Sequence, residues 1–349
     1  DPSIVWEFRV PDAYNLGQPV VAPDGTVYFG APNDQTNKPR LYAVNPDGSE
    51  KWHWDDQNAE PSEPAVSADG AVYFGQFDPG SYVTALNPDG SLRWQYNIGD
   101  RVNNVSIDPR GNAYFTSENR FITKVRPSGK AKWQIWNPFT FNFLPIADVD
   151  DDVYLVADVA GLPGFYRLNG EDGSVVWQTR ADDNFIYYAF DLVYDRSQDK
   201  FYTVTTNYGQ ILTINRADGE IAKSIVDMEG MPTTKIIVLS DSLVFGLDFS
   251  VNRPASGSLV YAVNKVDKAI TWTFAVDSPV NKEIITDVDE NLYFSTRIGK
   301  VYSLDKNGQK RWIIDLGVAT YAYPILWDGA IYIGAGGADG GKLFKIGDI

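Results

Sequence analysis

Cysteine is absent from this 349-residue sequence, methionine occurs twice and histidine once, at His53. The missing thiols exclude a disulfide scaffold and any zinc or iron–sulfur centre built on cysteine. A hydrolase of the Cys–His or Ser–His kind would have to rest on His53 alone. Basic residues are also short: 30 Lys and Arg stand against 46 Asp and Glu, a formal net charge of −16. A surface of that sign repels phosphate backbones and anionic lipid, so nucleic acid is not expected as a partner. No apolar run approaches the ~20 residues of a spanning helix, so no transmembrane segment is expected. No signal peptide is visible. The chain starts at Asp1 rather than Met, which fits removal of a preceding segment. Nucleotide-binding glycine fingerprints are missing too. Gly334-Ala-Gly336-Gly337 precedes a strand pattern rather than a helix and reads as a loop.

What is abundant is aromatic. The 10 Trp, 20 Tyr and 18 Phe are not scattered but periodic. A turn followed by Trp recurs as Gly48-Ser-Glu-Lys-Trp52, Gly90-Ser-Leu-Arg-Trp94, Gly129-Lys-Ala-Lys-Trp133, Gly173-Ser-Val-Val-Trp177 and Gly308-Gln-Lys-Arg-Trp312. Lys268-Ala-Ile-Thr-Trp272 keeps the spacing without the glycine, and Gly219-Glu-Ile-Ala-Lys223 keeps the glycine and loses the Trp. An unpaired Trp strand, with Trp6, opens the chain. Successive copies lie 39 to 49 residues apart, about 44 on average. Repeats of that length made of short strands are the mark of propeller blades.

Each repeat reads as four strands. A short apolar run comes first, then a triplet such as Val27-Tyr28-Phe29 or Leu292-Tyr293-Phe294. An alternating third strand follows, and a fourth carries the Trp. Asp-Gly turns punctuate them, as tight hairpins require. After Trp312 only three strands remain, so the strand at residues 4–10 is expected to complete the last repeat. The prediction is an all-β, eight-bladed propeller of four-stranded antiparallel blades. It forms a single domain over residues 1–349, although length alone would suggest two. Blade 8 combines about 318–349 with 4–10.

The Gly-Ser-x-x-Trp cadence with Asp-Gly-x-Val-Tyr-Phe-Gly hairpins resembles the pyrroloquinoline-quinone-like (PQQ-like) repeat across essentially the whole chain. Eight-bladed members include lipoprotein B of the outer-membrane β-barrel assembly machinery and the quinoprotein alcohol dehydrogenases. The resemblance implies that Trp6, Trp52, Trp94, Trp133, Trp177, Trp272 and Trp312 are structural, bracing blades against each other. It does not imply the dehydrogenase cofactor, because the vicinal Cys pair of those enzymes is impossible here. PQQ is therefore not expected, and no resident cofactor is.

Loops leading into the first strands, with the second-to-third loops, are expected to share a top face around a funnel, the default place for a ligand. Lead-in residues are Tyr14, Gln18, Glu60, Glu63, Asn103, Asn104, Phe141, Tyr187, Tyr188, Lys282, Glu283, Tyr321 and Tyr323. Aromatics mixed with amides suit a sugar face or a peptide edge. Longer second-to-third loops are expected at residues 32–38, 76–82, 160–165 and 248–258. Two acidic turns at equivalent places, Asp148/Asp150/Asp152 and Asp287/Asp289, offer carboxylates of the kind that wrap Ca²⁺. They lack the glycine and distal Glu of an EF-hand loop, and an ordinary solvated turn explains them as well. His53, between two Trp residues on a fourth strand, reads as a surface side chain.

Two functions follow as expectations. One is a non-catalytic extracytoplasmic scaffold, a monomeric propeller or a module of a larger assembly, holding a protein or glycan on its top loops. The alternative is a quinoprotein-like oxidoreductase or a Ca²⁺-dependent carbohydrate-active enzyme, with Glu60, Glu63 and Glu283 as acid–base groups in the funnel.

Overall fold

The structure, a computed structural model, describes residues 2–11, 13–31, 39–55, 60–77, 81–117, 121–136, 146–147, 151–159, 162–180, 192–205, 210–226, 231–248, 258–337 and 340–349. Among these there is no helix, and the strands form eight antiparallel sheets. Blade 1 is typical: Val20–Val21, Val27–Ala31, Arg40–Val44 and Glu50–Asp55 pair in chain order. In blades 2 and 6 the first strand is split in two, as Glu60–Pro61 with Ala65–Val66 and Met231–Pro232 with Ile237–Val238. Blade 8 orders Ser3–Val10, Gly340–Gly347, Ala330–Gly337 and Ile325–Trp327. The N-terminal strand is thus the fourth strand of the last sheet, as the sequence predicts.

Burial explains the composition of each strand. Second strands such as Val27–Ala31 and Ser242–Asp248 are buried at every position. A strand covered on both faces reads as a continuous apolar run. Fourth strands such as Lys310–Asp315 alternate exposed and half-buried, and Ser3–Val10 shares that pattern. Apolar clusters lie between successive sheets: Tyr73, Val83 and Trp94 of blade 2, for example, pack with Val105 and Phe115 of blade 3.

Six blades carry a register shift where the third strand meets the Trp strand, as between Ala43 and Val44 or Ser303 and Leu304. Blade 5 pairs there without a shift, and Lys223 stands where the others have Trp. A bulge adds a residue to one strand and re-aims the side chains after it. Here it accompanies the indole.

Packing divides the chain into two compact units. One comprises Trp6–Arg180 with Gly336–Lys345, and the other Ala181–Ala335 with Asp1–Val5 and Ile346–Ile349. The first holds blades 1 to 4 and the second blades 5 to 7.

Two loop expectations are corrected. Residues 162–165 are not loop: Val153–Val159 and Leu162–Leu168 pair through to Val159↔Leu162. Gly334–Gly337 also belongs to a strand, Ala330–Gly337. Its glycines serve close approach: a Cβ on Gly336 would lie 2.2 Å from the Tyr14 carbonyl oxygen. Glycine inside a strand commonly marks such a contact.

Candidate functional site

The lead-in loops separate into latches and exposed side chains. Four buried polar residues tie their loops to the second strand of their own blade or to a neighbouring loop. The Ser62 hydroxyl accepts from the Gly75 amide at 2.8 Å, and the Thr234 hydroxyl from the Gly246 amide at 2.8 Å. The Asn281 amide donates to Ser295 Oγ at 2.8 Å and to the Thr320 and Ala322 carbonyls at 3.0 and 3.2 Å. Thr320 donates to the Gly334 carbonyl at 2.5 Å. These groups are spent on satisfying buried backbone.

Of the predicted ligand residues, Glu63, Lys282 and Tyr321 directly follow a latch residue in the chain. In the first unit Tyr14 is 61% exposed, Gln18 is buried with its amide donating to the Pro19 carbonyl at 3.4 Å, and Glu63 is half-buried. Glu60 lies in a short strand paired with Phe77, and Asn103 and Asn104 lie in Val102–Ile107. In the second unit Tyr321 is 56% exposed, Lys282 is exposed, and Tyr323 and Glu283 are half-buried. Glu283 pairs with Lys235 of the neighbouring lead-in loop, whose backbone amide donates to the Lys282 carbonyl at 3.2 Å. Phe141, Tyr187 and Tyr188 lie outside the described residues, as do second-to-third loop residues 32–38, 78–80 and 249–257.

The acidic turns hold their own carboxylates. Asp287 accepts from the amides of Asp289 and Asn291, from the Asn291 side chain and from the Tyr293 hydroxyl, at 2.8 to 3.0 Å. This is an Asx turn capped by a tyrosine. Burial works to raise the Asp287 carboxyl, but these donors outweigh it and hold the group below its ordinary range. Asp108 has the same four donors in blade 3. Asp152 pairs with Arg167 at 2.5 Å, and Asp289 is exposed. Asp148 and Asp150 lie outside the described residues, among which no group of three or more acidic, His or Cys side chains is arranged to hold a metal. His53 is exposed, its Nδ1 2.7 Å from Glu50.

Trp52, Trp94, Trp133, Trp177 and Trp312 each pack on the tyrosine of their own blade's second strand, as Trp52 on Tyr28 at 5.5 Å and Trp312 on Tyr293 at 5.9 Å. The indole N–H then reaches another blade. Trp6, Trp52, Trp94, Trp133 and Trp272 donate to the carbonyls of Pro46, Pro88, Pro127, Gly170 and Lys306 at 2.9 to 3.1 Å. All five acceptors lie in third-to-fourth turns. The turn glycine beside the acceptor lies flat on the indole: a Cβ on Gly90 would come 2.9 Å from the Trp52 ring.

Two charge clusters escaped the sequence reading. Lys124 is fully buried, 2.8 Å from Asp151, and donates to the Gly170 carbonyl at 2.9 Å; Arg110 adds a contact to Asp151 at 3.0 Å. Burial pushes the Asp151 carboxyl up, and the Lys124 hydrogen bond and charge bring it down further, leaving it below its ordinary value. In the second unit Lys265 and Asp195, both buried, pair at 2.7 Å. Lys268 sits beside them at φ +60°, its ammonium 5.3 Å from the Tyr202 ring centre. Tyr202 is the blade 5 tyrosine, and this blade has no Trp. Lysine therefore caps the ring that an indole covers elsewhere. The signal was present in the sequence as two departures, Lys223 for Trp and Lys268 for Gly, but nothing in a linear reading joins them.

A family model described as outer membrane protein assembly factor BamB, of the PQQ_2 repeat, matches residues 1–179. No curated protein sequence matches the chain. Among solved structures, the crystal structure of BamB from Moraxella catarrhalis is similar at TM-score 0.73 and 14% identity, covering 99% of each chain. A europium-containing methanol dehydrogenase aligns at TM-score 0.70 and 11% identity, over 99% of this chain and 93% of that one. The C-terminal WD40 domain of Sif2 aligns at 0.73 and 10%, over 100% and 98%. At such identities these likenesses speak for the fold alone, that of an eight-bladed β-propeller.

Proposed function

The chain belongs to the PQQ-repeat family described as outer membrane protein assembly factor BamB, and from that membership we propose that it is a non-catalytic binding module working outside the cytoplasm. Its role is to hold a protein partner within a larger assembly, on the lead-in loops and second-to-third loops. The family match carries the reading. Exposed Tyr14 and Tyr321 support it, because large aromatics left in solvent are common anchors of protein interfaces. The Thr320 latch next to Tyr321 holds that anchor on a tied loop, which lowers the ordering cost of binding. The Glu283 carboxylate is engaged by Lys235, an arrangement that suits loop positioning better than proton transfer.

The test places a photo-crosslinking amino acid at Tyr14 or Tyr321, and at Lys130 on an exposed third-to-fourth turn as reference, in cells of the native host. Adducts to the same envelope protein from both loop positions and not from Lys130 are expected. No adduct, or equal adducts from all three positions, would overturn the assignment of these loops. A parallel incubation with PQQ and Ca²⁺ addresses chemistry: a stoichiometric chromophore with alcohol oxidation would replace the scaffold by an oxidoreductase.

A further inference from the structure

Blade 7 carries a corner whose makeup the fold does not require. Its second and third strands, Leu292–Ser295 and Lys300–Leu304, are joined by a tight turn in which the Gly299 amide donates to the Thr296 carbonyl at 2.8 Å. Gly299 takes φ +88°, so the turn itself dictates glycine there. Arg297 and Ile298 fill the two central places, and both are exposed, Ile298 at 48%. Such places ordinarily go to Gly, Pro, Asn, Asp or Ser. An isoleucine held in solvent adds nothing to the turn.

This turn is fastened to the lead-in loops on either side. The Arg297 amide donates to the Pro279 carbonyl at 3.1 Å, and the Thr320 amide donates to the Arg297 carbonyl at 3.3 Å. The Leu316 amide donates to the Gly299 carbonyl at 2.9 Å. Ile298 and exposed Tyr321 therefore each stand one residue beyond a hydrogen-bonded pair, Arg297 and Thr320. All these residues belong to the second unit. The carboxylates of the same loops are engaged. Asp277 pairs with Lys300 and accepts from the Tyr302 hydroxyl at 3.0 Å, Glu283 pairs with Lys235, and Asp315 accepts from the Gly317 amide at 2.8 Å. The Arg297 side chain has no carboxylate partner among the described residues.

We infer that this corner receives an acidic segment of a partner protein, with a carboxylate on Arg297 and a neighbouring apolar side chain against Ile298 and Tyr321. The inference rests on the reading of these loops as a protein-binding face and adds what the partner has to bring. Single exposed apolar side chains are ordinary. Two of them beside an unpaired guanidinium, on tied backbone, have the makeup of an interface hot spot, where Tyr and Arg are enriched. Charge then selects the occupant. A segment that covers Ile298 and Tyr321 also takes water from Arg297, and a guanidinium buried without a counter-ion is strongly unfavourable. A carboxylate answers it with two parallel N–H···O bonds. A basic segment meets repulsion, and a sugar stacked on Tyr321 leaves Ile298 unused.

The experiment keeps the photo-crosslinking amino acid at Tyr14 or Tyr321 in cells of the native host, adds Arg297→Glu or Ile298→Ser, and sequences the crosslinked peptide by mass spectrometry. The Tyr321 adduct should fall on a protein segment with Asp or Glu beside an apolar residue. Arg297→Glu sets like charges against each other and should lower its yield at least about tenfold. Ile298→Ser should lower it as well. Replacing the identified acid of the partner by Lys should restore the adduct in the Arg297→Glu background. Both substitutions lie at exposed turn positions and leave the backbone bonds in place. A Tyr321 adduct that neither substitution changes, or that falls on a segment without acids, overturns this inference and leaves the proposed function standing. A Tyr321 adduct to a glycan or lipid overturns it too. Absence of adducts from both Tyr14 and Tyr321 overturns both.

Discussion

The indole N–H of Trp94 is worth something that the same group on Trp312 is not. Trp94 donates to the carbonyl of the exposed turn residue Pro127 at 3.0 Å, so Trp94→Phe gives up one part-buried hydrogen bond. A loss of about 0.5–1.5 kcal/mol is expected in denaturant unfolding. Trp94→Ala adds a cavity and should cost about 3–5 kcal/mol. Trp312→Phe removes a donor that has no acceptor and should leave stability unchanged within about 0.5 kcal/mol. Equal losses for the two Phe variants would contradict the hydrogen-bond pattern. Asp151 supplies the pH dependence. Its folded value lies below the ordinary 3.8, so its contribution is complete above that value and is lost as pH falls through the folded one. Asp151→Asn removes one partner of a buried pair and should cost about 3–5 kcal/mol at neutral pH. The gap between wild type and variant should close as the pH falls from the ordinary carboxylate range through the lower folded value. A gap that stays constant would show that Lys124 does not hold the carboxyl down. Neither residue could be ranked from sequence: Trp94 and Trp312 sit in the same motif, and Asp151 sits in a run of carboxylates.

A blade is the unit in which these residues make sense. Four strands, a bulge at the Trp and a Gly turn received by the preceding blade's indole recur with little change, and the repeat is legible because each part leaves its own mark. Blade 5 departs from it with Lys223, and the blade 6 turn departs with Lys268, whose ammonium covers Tyr202 where an indole would lie. The two departures are complementary. Lys223→Trp alone brings an indole into space that the Lys268 stem holds, while Lys268→Gly alone uncovers Tyr202. The double variant restores the arrangement of the other blades. It should be more stable than the sum of the single changes predicts, by about 1–3 kcal/mol in a thermodynamic cycle. Additivity within about 0.5 kcal/mol would mean that the two positions do not share a site. Burial supports the same exchange, since desolvation already holds the Lys268 ammonium below its ordinary value.

For the whole molecule, the N-terminal strand matters most. Ser3–Val10 is the fourth strand of the sheet that also contains Gly340–Gly347, so deleting residues 1–10 leaves that strand as an open edge. Unpaired edges invite aggregation. The truncated protein should unfold at a markedly lower temperature and lose solubility; an unchanged midpoint would contradict the pairing. We propose that the 349 residues unfold as one domain, in a single calorimetric transition, although packing groups them into two compact units. Two resolved transitions would refute this. The sequence by itself determined the architecture: a spacing of about 44 residues, one Tyr triplet and one Trp per repeat, and a stray Trp strand at the start were enough to count eight blades. They were enough because a repeat writes the same short-range pattern many times. Only the tertiary structure decided which polar residues are spent. Glu283 and Asp287 look like ligand groups in a linear reading, and both turn out to be engaged, the first by Lys235 and the second by neighbouring backbone and side chains. It also decided that the Trp312 indole N–H is buried without an acceptor. Both depend on which strands and loops come to lie side by side: Asn281 meets the Thr320 carbonyl, 39 residues away in the chain, only after the sheets have formed.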